Sequence, residues 1–152
     1  MQTLLLLMKH AEAARDQALA ACDKATRVEQ AASAQWQQLL DYRRDYEARW
    51  AEQFKAGGAI ALLRIYHEFM ARLVQALDSQ QHALRNATAA RDAALQTLRE
   101  RELRLASVAK LLQKRSLQIR LGGERREQKQ FDEMAARVVR NAPFGMPLTG
   151  LC

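Results

Sequence analysis

The chain has 152 residues and a formal net charge of +7, and more than half of its residues are Ala, Leu, Glu, Lys or Arg. That composition is typical of a long helix or a coiled coil, and scarce aromatics with only two prolines argue against a mixed globular core. No apolar run approaches the ~18 residues of a membrane span, so we expect no span. Cys22 and Cys152 show no metal-ligand spacing, which favours two free thiols in a reducing compartment.

The first predicted helix covers residues 1–56. Its seven-residue repeat is mostly alanine up to Ala32 and is then formed by large side chains from Trp36 to Trp50. Because alanine buries little apolar area, we expect the alanine half to be held weakly and the aromatic half firmly.

A glycine pair, Gly57-Gly58, predicts the turn that ends this helix. A short connection joins antiparallel neighbours, so the sequence predicts a helical hairpin. Folding about the middle of the pair places Tyr46 opposite Phe69 and Gln35 opposite Gln80.

The second predicted helix covers residues 59–140 and carries the more regular repeat. Stepping by seven from Leu63 to Ile119 gives nine positions, of which Arg91 is charged and eight are apolar. The apolar positions are Leu63, Met70, Leu77, Leu84, Leu98, Leu105, Leu112 and Ile119. Such a seam keeps one face of a helix against a partner helix. Because this arm is longer than the first, its end is predicted to overhang as a single helix, kinked or interrupted at Gly122-Gly123. Residues 1–140 are thus predicted to form one coiled-coil hairpin, followed by a flexible tail at residues 141–152.

Positive charge concentrates in the overhang. Residues 99–140 contain twelve Lys or Arg and six Asp or Glu. This excess favours an acidic protein surface, anionic lipid or nucleic acid, unless the segment is simply a solvated helix end. Nucleic acid is disfavoured, since the basic residues alternate with Glu and no nucleic-acid-binding motif is present.

The sequence offers no catalytic constellation. There is no GxxxxGK[ST] and no HExxH, and the three histidines are far apart. We therefore expect neither an enzyme nor a cofactor. The aromatic cluster around Tyr42, Tyr46 and Phe69 either closes the hairpin core or marks a partner site.

Three segments together resemble the flagellar export protein FliJ family: LLDYRRDYEARW at residues 39–50, FKAGGAIALLRIYHEFMARL at 54–73 and ERREQKQFDEMAAR at 124–137. The resemblance implies an antiparallel two-helix coiled coil similar to the gamma subunit of rotary ATPases. It implies that the end of the coiled coil formed by the two terminal segments sits in the pore of the hexameric export ATPase. It further implies a link to the membrane export gate and an escort role for export chaperones of late flagellar substrates.

The resemblance also implies two sets of site residues. The chaperone-binding set is Gln35, Leu39, Tyr42, Tyr46, Phe69, Leu73, Ala76 and Gln80, where Gln80 departs from the basic or His type of some relatives. The ATPase-ring-binding set is Arg120, Arg125, Arg126, Gln128, Lys129, Asp132, Glu133 and Arg137.

The sequence therefore predicts a non-enzymatic stalk of the flagellar type III export apparatus. We expect it to be cytoplasmic and peripheral at the cytoplasmic face of the inner membrane. The alternatives are the equivalent stalk of a virulence-type injectisome, a nucleic-acid-associated basic coiled coil, and a homodimeric scaffold with an opened glycine turn.

Overall fold

The computed structural model describes residues 1–141, and within them two helices account for almost the whole chain. Helix α1 runs over Gln2–Lys55 (54 residues) and helix α2 over Ile60–Asn141 (82 residues). No strand occurs among the described residues. The predicted all-α hairpin of two long helices is confirmed. Asn141 belongs to α2, and the rest of the predicted tail, including Cys152, lies outside the described residues.

The turn depends on Gly57, whose φ of +92° lies in the left-handed region that side chains with a Cβ disfavour. Its N–H donates a 3.2 Å hydrogen bond to the carbonyl of Phe54, which closes the end of α1. The carbonyl of Ala59 then accepts from the N–H groups of Leu62 and Leu63 and starts α2. The glycine pair therefore forms the predicted turn.

Residues Lys9–Leu105 form one compact unit, which is the hairpin proper. Its register agrees with the sequence prediction at two positions. The rings of Tyr46 and Phe69 have centroids 4.0 Å apart, and Nε2 of Gln80 donates to Oε1 of Gln35 at 3.0 Å.

The buried residues of the hairpin alternate small and large side chains across the helix pair. Ala18 and Cys22 of α1 form a cluster with Leu98 of α2, flanked by Ala94 and Leu95. The complete buried set is Ala11, Ala18, Cys22, Ala32, Leu73, Leu77, Ala87 and Leu98. Small residues on α1 admit the leucines of α2, which is how this seam reaches burial with little aromatic content. Cys22 is a free, buried thiol.

Burial is distributed differently from the expected pattern. The alanine half of α1 supplies its buried residues, whereas the aromatic half is only partly buried. Two helices cannot enclose six large rings, so each ring keeps an edge in solvent. The expected difference in firmness between the halves stays a prediction.

A second compact unit comprises Met1–Met8 and α2 from Ala106 onward. Leu4, Met8 and Leu112 are half-buried in it, whereas every side chain from Gly123 to Asn141 is exposed. The predicted interruption at Gly122-Gly123 is wrong, because α2 is continuous through both glycines and neither has a positive φ. The alternative, a kink at this point, stays a prediction. The cost of about 1 kcal/mol per glycine is offset by good helix formers on both sides.

No helix within residues 1–141 is long and apolar enough to cross a membrane. Over the same residues, no group of three or more His, Cys, Asp or Glu is arranged to hold a metal ion.

Candidate functional site

Six aromatic rings line the hairpin next to its turn. Four occur every four residues on α1, which places them on one face of the helix: Tyr42, Tyr46, Trp50 and Phe54. Tyr66 and Phe69 meet them from α2. Tyr46 is central, with ring centroids 4.0 Å from Phe69, 6.2 Å from Tyr66 and 5.9 Å from Trp50. Offset and edge-on ring pairs at these distances stabilise the helix pair beyond their buried area.

Tyr42 lies at the edge of this cluster and is 50% exposed. Its ring contacts Tyr46 and Phe69, each with centroids 6.1 Å apart. Its ring therefore packs against two neighbours while half of its surface stays exposed. An ordered, half-exposed aromatic ring is the kind of residue that dominates binding energy at protein interfaces.

The eight residues of the predicted chaperone-binding set do not all have the same exposure. Leu73 is only 6% exposed and belongs to the hairpin core. Tyr42, Gln35 and Ala76 are exposed, and Leu39, Tyr46, Phe69 and Gln80 are half-buried. The structure thus places residues 35–46 of α1 beside residues 69–80 of α2. Their exposed side chains form a mixed surface of rings and polar groups.

Gln80 crosses the hairpin with its side-chain amide. Nε2 donates to the backbone carbonyl of Ala32 at 3.1 Å and to Oε1 of Gln35 at 3.0 Å. These bonds use both N–H donors of the Gln80 amide within the chain, so they connect the two helices at this register as well as lining the predicted surface.

A second polar crossing was not anticipated from the sequence. Arg91, the single charged residue of the α2 seam, pairs its guanidinium with Glu29 of α1 (Nη1 to Oε2, 2.5 Å) and with Asp92. Thr88 also donates to Glu29, at 3.5 Å. The hydrogen bond to Asp92 raises the pKa of Arg91, and Glu29 adds to that effect. Like any guanidinium, this group is charged at physiological pH. The break in the apolar repeat was the available signal, but only the structure shows its partner.

The predicted ATPase-ring-binding set lies on the exposed part of α2. All eight residues are exposed, from Arg120 to Arg137. No ion pair between described residues involves any of them. The basic side chains of this segment therefore face solvent without an internal acidic partner.

These features define a class: an antiparallel helical-hairpin protein with an aromatic cluster beside its turn and an exposed basic helix. The chain belongs to the family of flagellar FliJ proteins, whose family model matches residues 1–143. It is similar to the flagellar FliJ protein of Escherichia coli (strain K12), with 29% identity over 114 residues. That alignment covers 75% of this chain and 78% of the relative. No solved structure matches the chain.

Proposed function

We propose that this chain is a non-enzymatic stalk of the bacterial flagellar type III protein export apparatus. It binds the export ATPase and promotes assembly of the hexameric ring, links the ring to the export gate, and escorts export chaperones at the cytoplasmic face of the inner membrane. Membership of the flagellar FliJ family supports the assignment to the flagellar export apparatus. The fully exposed, charged end of α2 is the observation that carries the ring-binding role.

The chemistry of residues 123–141 supports the ring-binding role. An isolated helix end with unpaired arginines and lysines gains most from a partner that surrounds it with acidic or polar groups. A single helix inside a six-fold ring contacts several subunits at once. Its binding energy then adds across subunits and favours the assembled ring over separate ones.

The aromatic cluster supports the chaperone-binding role. Tyr42 offers a half-exposed ring packed against Phe69, and Gln35 and Ala76 of the same predicted set are exposed as well. Such a surface suits an apolar helix or loop whose flanks can make hydrogen bonds.

The experiment is a titration of this protein into the export ATPase, with turnover and hexamer content as readouts. The wild-type chain is expected to raise both. The triple variant Arg125→Glu, Arg126→Glu and Lys129→Glu should weaken the effect by about tenfold or more, because it places like charges against an acidic partner. The matched control reverses the charge of three exposed arginines of α2 within the hairpin unit: Arg64→Glu, Arg72→Glu and Arg85→Glu.

Ring binding by the charged end would be refuted if the wild-type protein changed neither readout. Equal losses in the triple variant and its control would also count against it, since the effect would then depend on total charge rather than on this segment.

A further inference from the structure

The exposed end of α2 has two chemically different faces. Successive side chains of a helix lie about 100° apart around its axis, so the continuous helix fixes the direction of each residue from 124 to 140. The five basic residues of this segment all lie about 120° or more from Phe131: Arg125, Arg126, Lys129, Arg137 and Arg140. The positive charge of this segment therefore covers one side of the helix only.

The opposite face carries a stripe of large apolar side chains. Phe131, Met134 and Val138 are spaced by three and four residues and lie within about 60° of one another. They are 75%, 64% and 69% exposed. Glu124 and Glu127 lie on the same face and no basic residue does. This spacing is that of a helix seated in an apolar groove of a partner.

We propose that this apolar stripe, Phe131, Met134 and Val138, binds an apolar surface of the export ATPase, while the basic face of the same helix meets acidic groups of the ring. The proposal rests on the stalk function proposed above and extends it to three residues outside the predicted ring-binding set. Binding then has two components. Salt weakens the contact between charges, whereas it does not weaken the burial of the stripe.

Continuity with the predicted ring-binding set selects this occupant. Asp132, Glu133 and Arg137 of that set directly adjoin the three stripe residues in the sequence. A ring that surrounds the helix therefore covers the stripe as well as the charges. A partner that was only acidic would leave the stripe in water and gain nothing from it.

Two other occupants fit this face less well. An anionic membrane surface attracts clusters of basic residues, but the stripe is accompanied by two glutamates and no base. A second copy of the chain would add only three large side chains. Such a contact buries well below the roughly 1,200 Å² of a specific, stable interface.

The test measures the affinity of the full chain for the export ATPase at several salt concentrations. The stripe variant, Phe131→Gln with Met134→Gln and Val138→Gln, should bind about a hundredfold more weakly at every salt concentration, because three apolar contacts are lost. Its dependence on salt should equal that of the wild type, since no charge changes. The triple charge-reversal variant at residues 125, 126 and 129 should instead lose much of the salt dependence.

The matched control replaces three exposed apolar residues of the hairpin unit: Val28→Gln, Ile65→Gln and Val74→Gln. It should bind like the wild type, and circular dichroism should show that both variants keep their helix content. A stripe variant with wild-type affinity would overturn the proposal and leave the stalk function intact, whereas a wild type that does not bind the ATPase would overturn both. Equal loss in the control would also overturn the proposal, because binding would then not depend on the stripe.

Discussion

At the scale of single residues, two tyrosines one helical turn apart have different surroundings. Tyr46 touches four other rings, whereas Tyr42 touches two and is half exposed. A side chain that packs on several neighbours contributes mainly to folding, and one with a free face contributes mainly to binding. We therefore expect substitution of the two tyrosines to have different effects on binding and on stability.

We expect Tyr42→Ala to weaken binding of an export chaperone by about tenfold, with a change in unfolding free energy of about 1 kcal/mol or less. Tyr46→Ala should cost about 2–3 kcal/mol, since it opens the ring cluster. Isothermal titration and urea denaturation would measure the two effects. Val74→Ala, an exposed apolar residue of the hairpin outside the predicted set, is the control and should change neither. A collapse of the fold in Tyr42→Ala would instead assign Tyr42 to the hairpin core.

At the scale of elements, the two glycine pairs of the chain have opposite structural roles. Gly57 has a positive φ and shapes the turn, while Gly122 and Gly123 lie within a continuous helix. A Cβ built on Gly58 would lie 2.9 Å from Cδ1 of Phe54. A Cβ built on any of the other three glycines of these pairs would have no neighbouring atom within 4 Å.

Alanine substitution should therefore act with opposite sign at the two places. Gly57→Ala forces a left-handed backbone on a residue with a Cβ and should lower the unfolding free energy by about 1–2 kcal/mol. Gly123→Ala removes backbone freedom from an exposed helix and should stabilise that segment by about 0.5–1 kcal/mol. Urea midpoints test the first substitution, and helix content by circular dichroism tests the second. Changes of the same sign would contradict the distinction between the pairs.

The two helices, the turn and the register could be predicted from the sequence because they depend on local and periodic signals. A glycine pair bounded by two apolar repeats defines the turn, and the turn then determines that Tyr46 meets Phe69. The continuity of α2 through Gly122-Gly123 was missed, because glycine in a helix carries a modest cost that flanking residues can offset. Side-chain burial was also missed: the period identifies Leu73 as a seam residue but not as the one member of the predicted chaperone-binding set that is buried.

At the scale of the whole molecule, α2 pairs with α1 of the same chain although its apolar seven-residue repeat could also pair with α2 of another copy. The α2 repeat is rich in leucine and would suit a parallel coiled-coil dimer. In such a dimer, however, Arg91 would face Arg91 of the second copy. In the hairpin it faces Glu29 instead. In the sequence the charge breaks the apolar repeat, and only the tertiary contact shows that it is paired across the hairpin.

We therefore expect Arg91 to keep the chain from dimerising through α2, with the wild-type protein sedimenting as a monomer. Arg91→Leu removes the repulsion and completes the leucine seam, so it should produce dimers whose fraction rises with protein concentration. Glu29→Ala should lower thermal stability without producing dimers, since Arg91 would lose its partner on α1 but keep its charge. Arg72→Leu, an exposed arginine of the same helix outside the seam, is the matched control and should remain monomeric. Analytical ultracentrifugation over a range of concentrations separates the outcomes. A monomeric Arg91→Leu variant, or a dimeric wild type, would show that the seam charge does not determine the partner of α2.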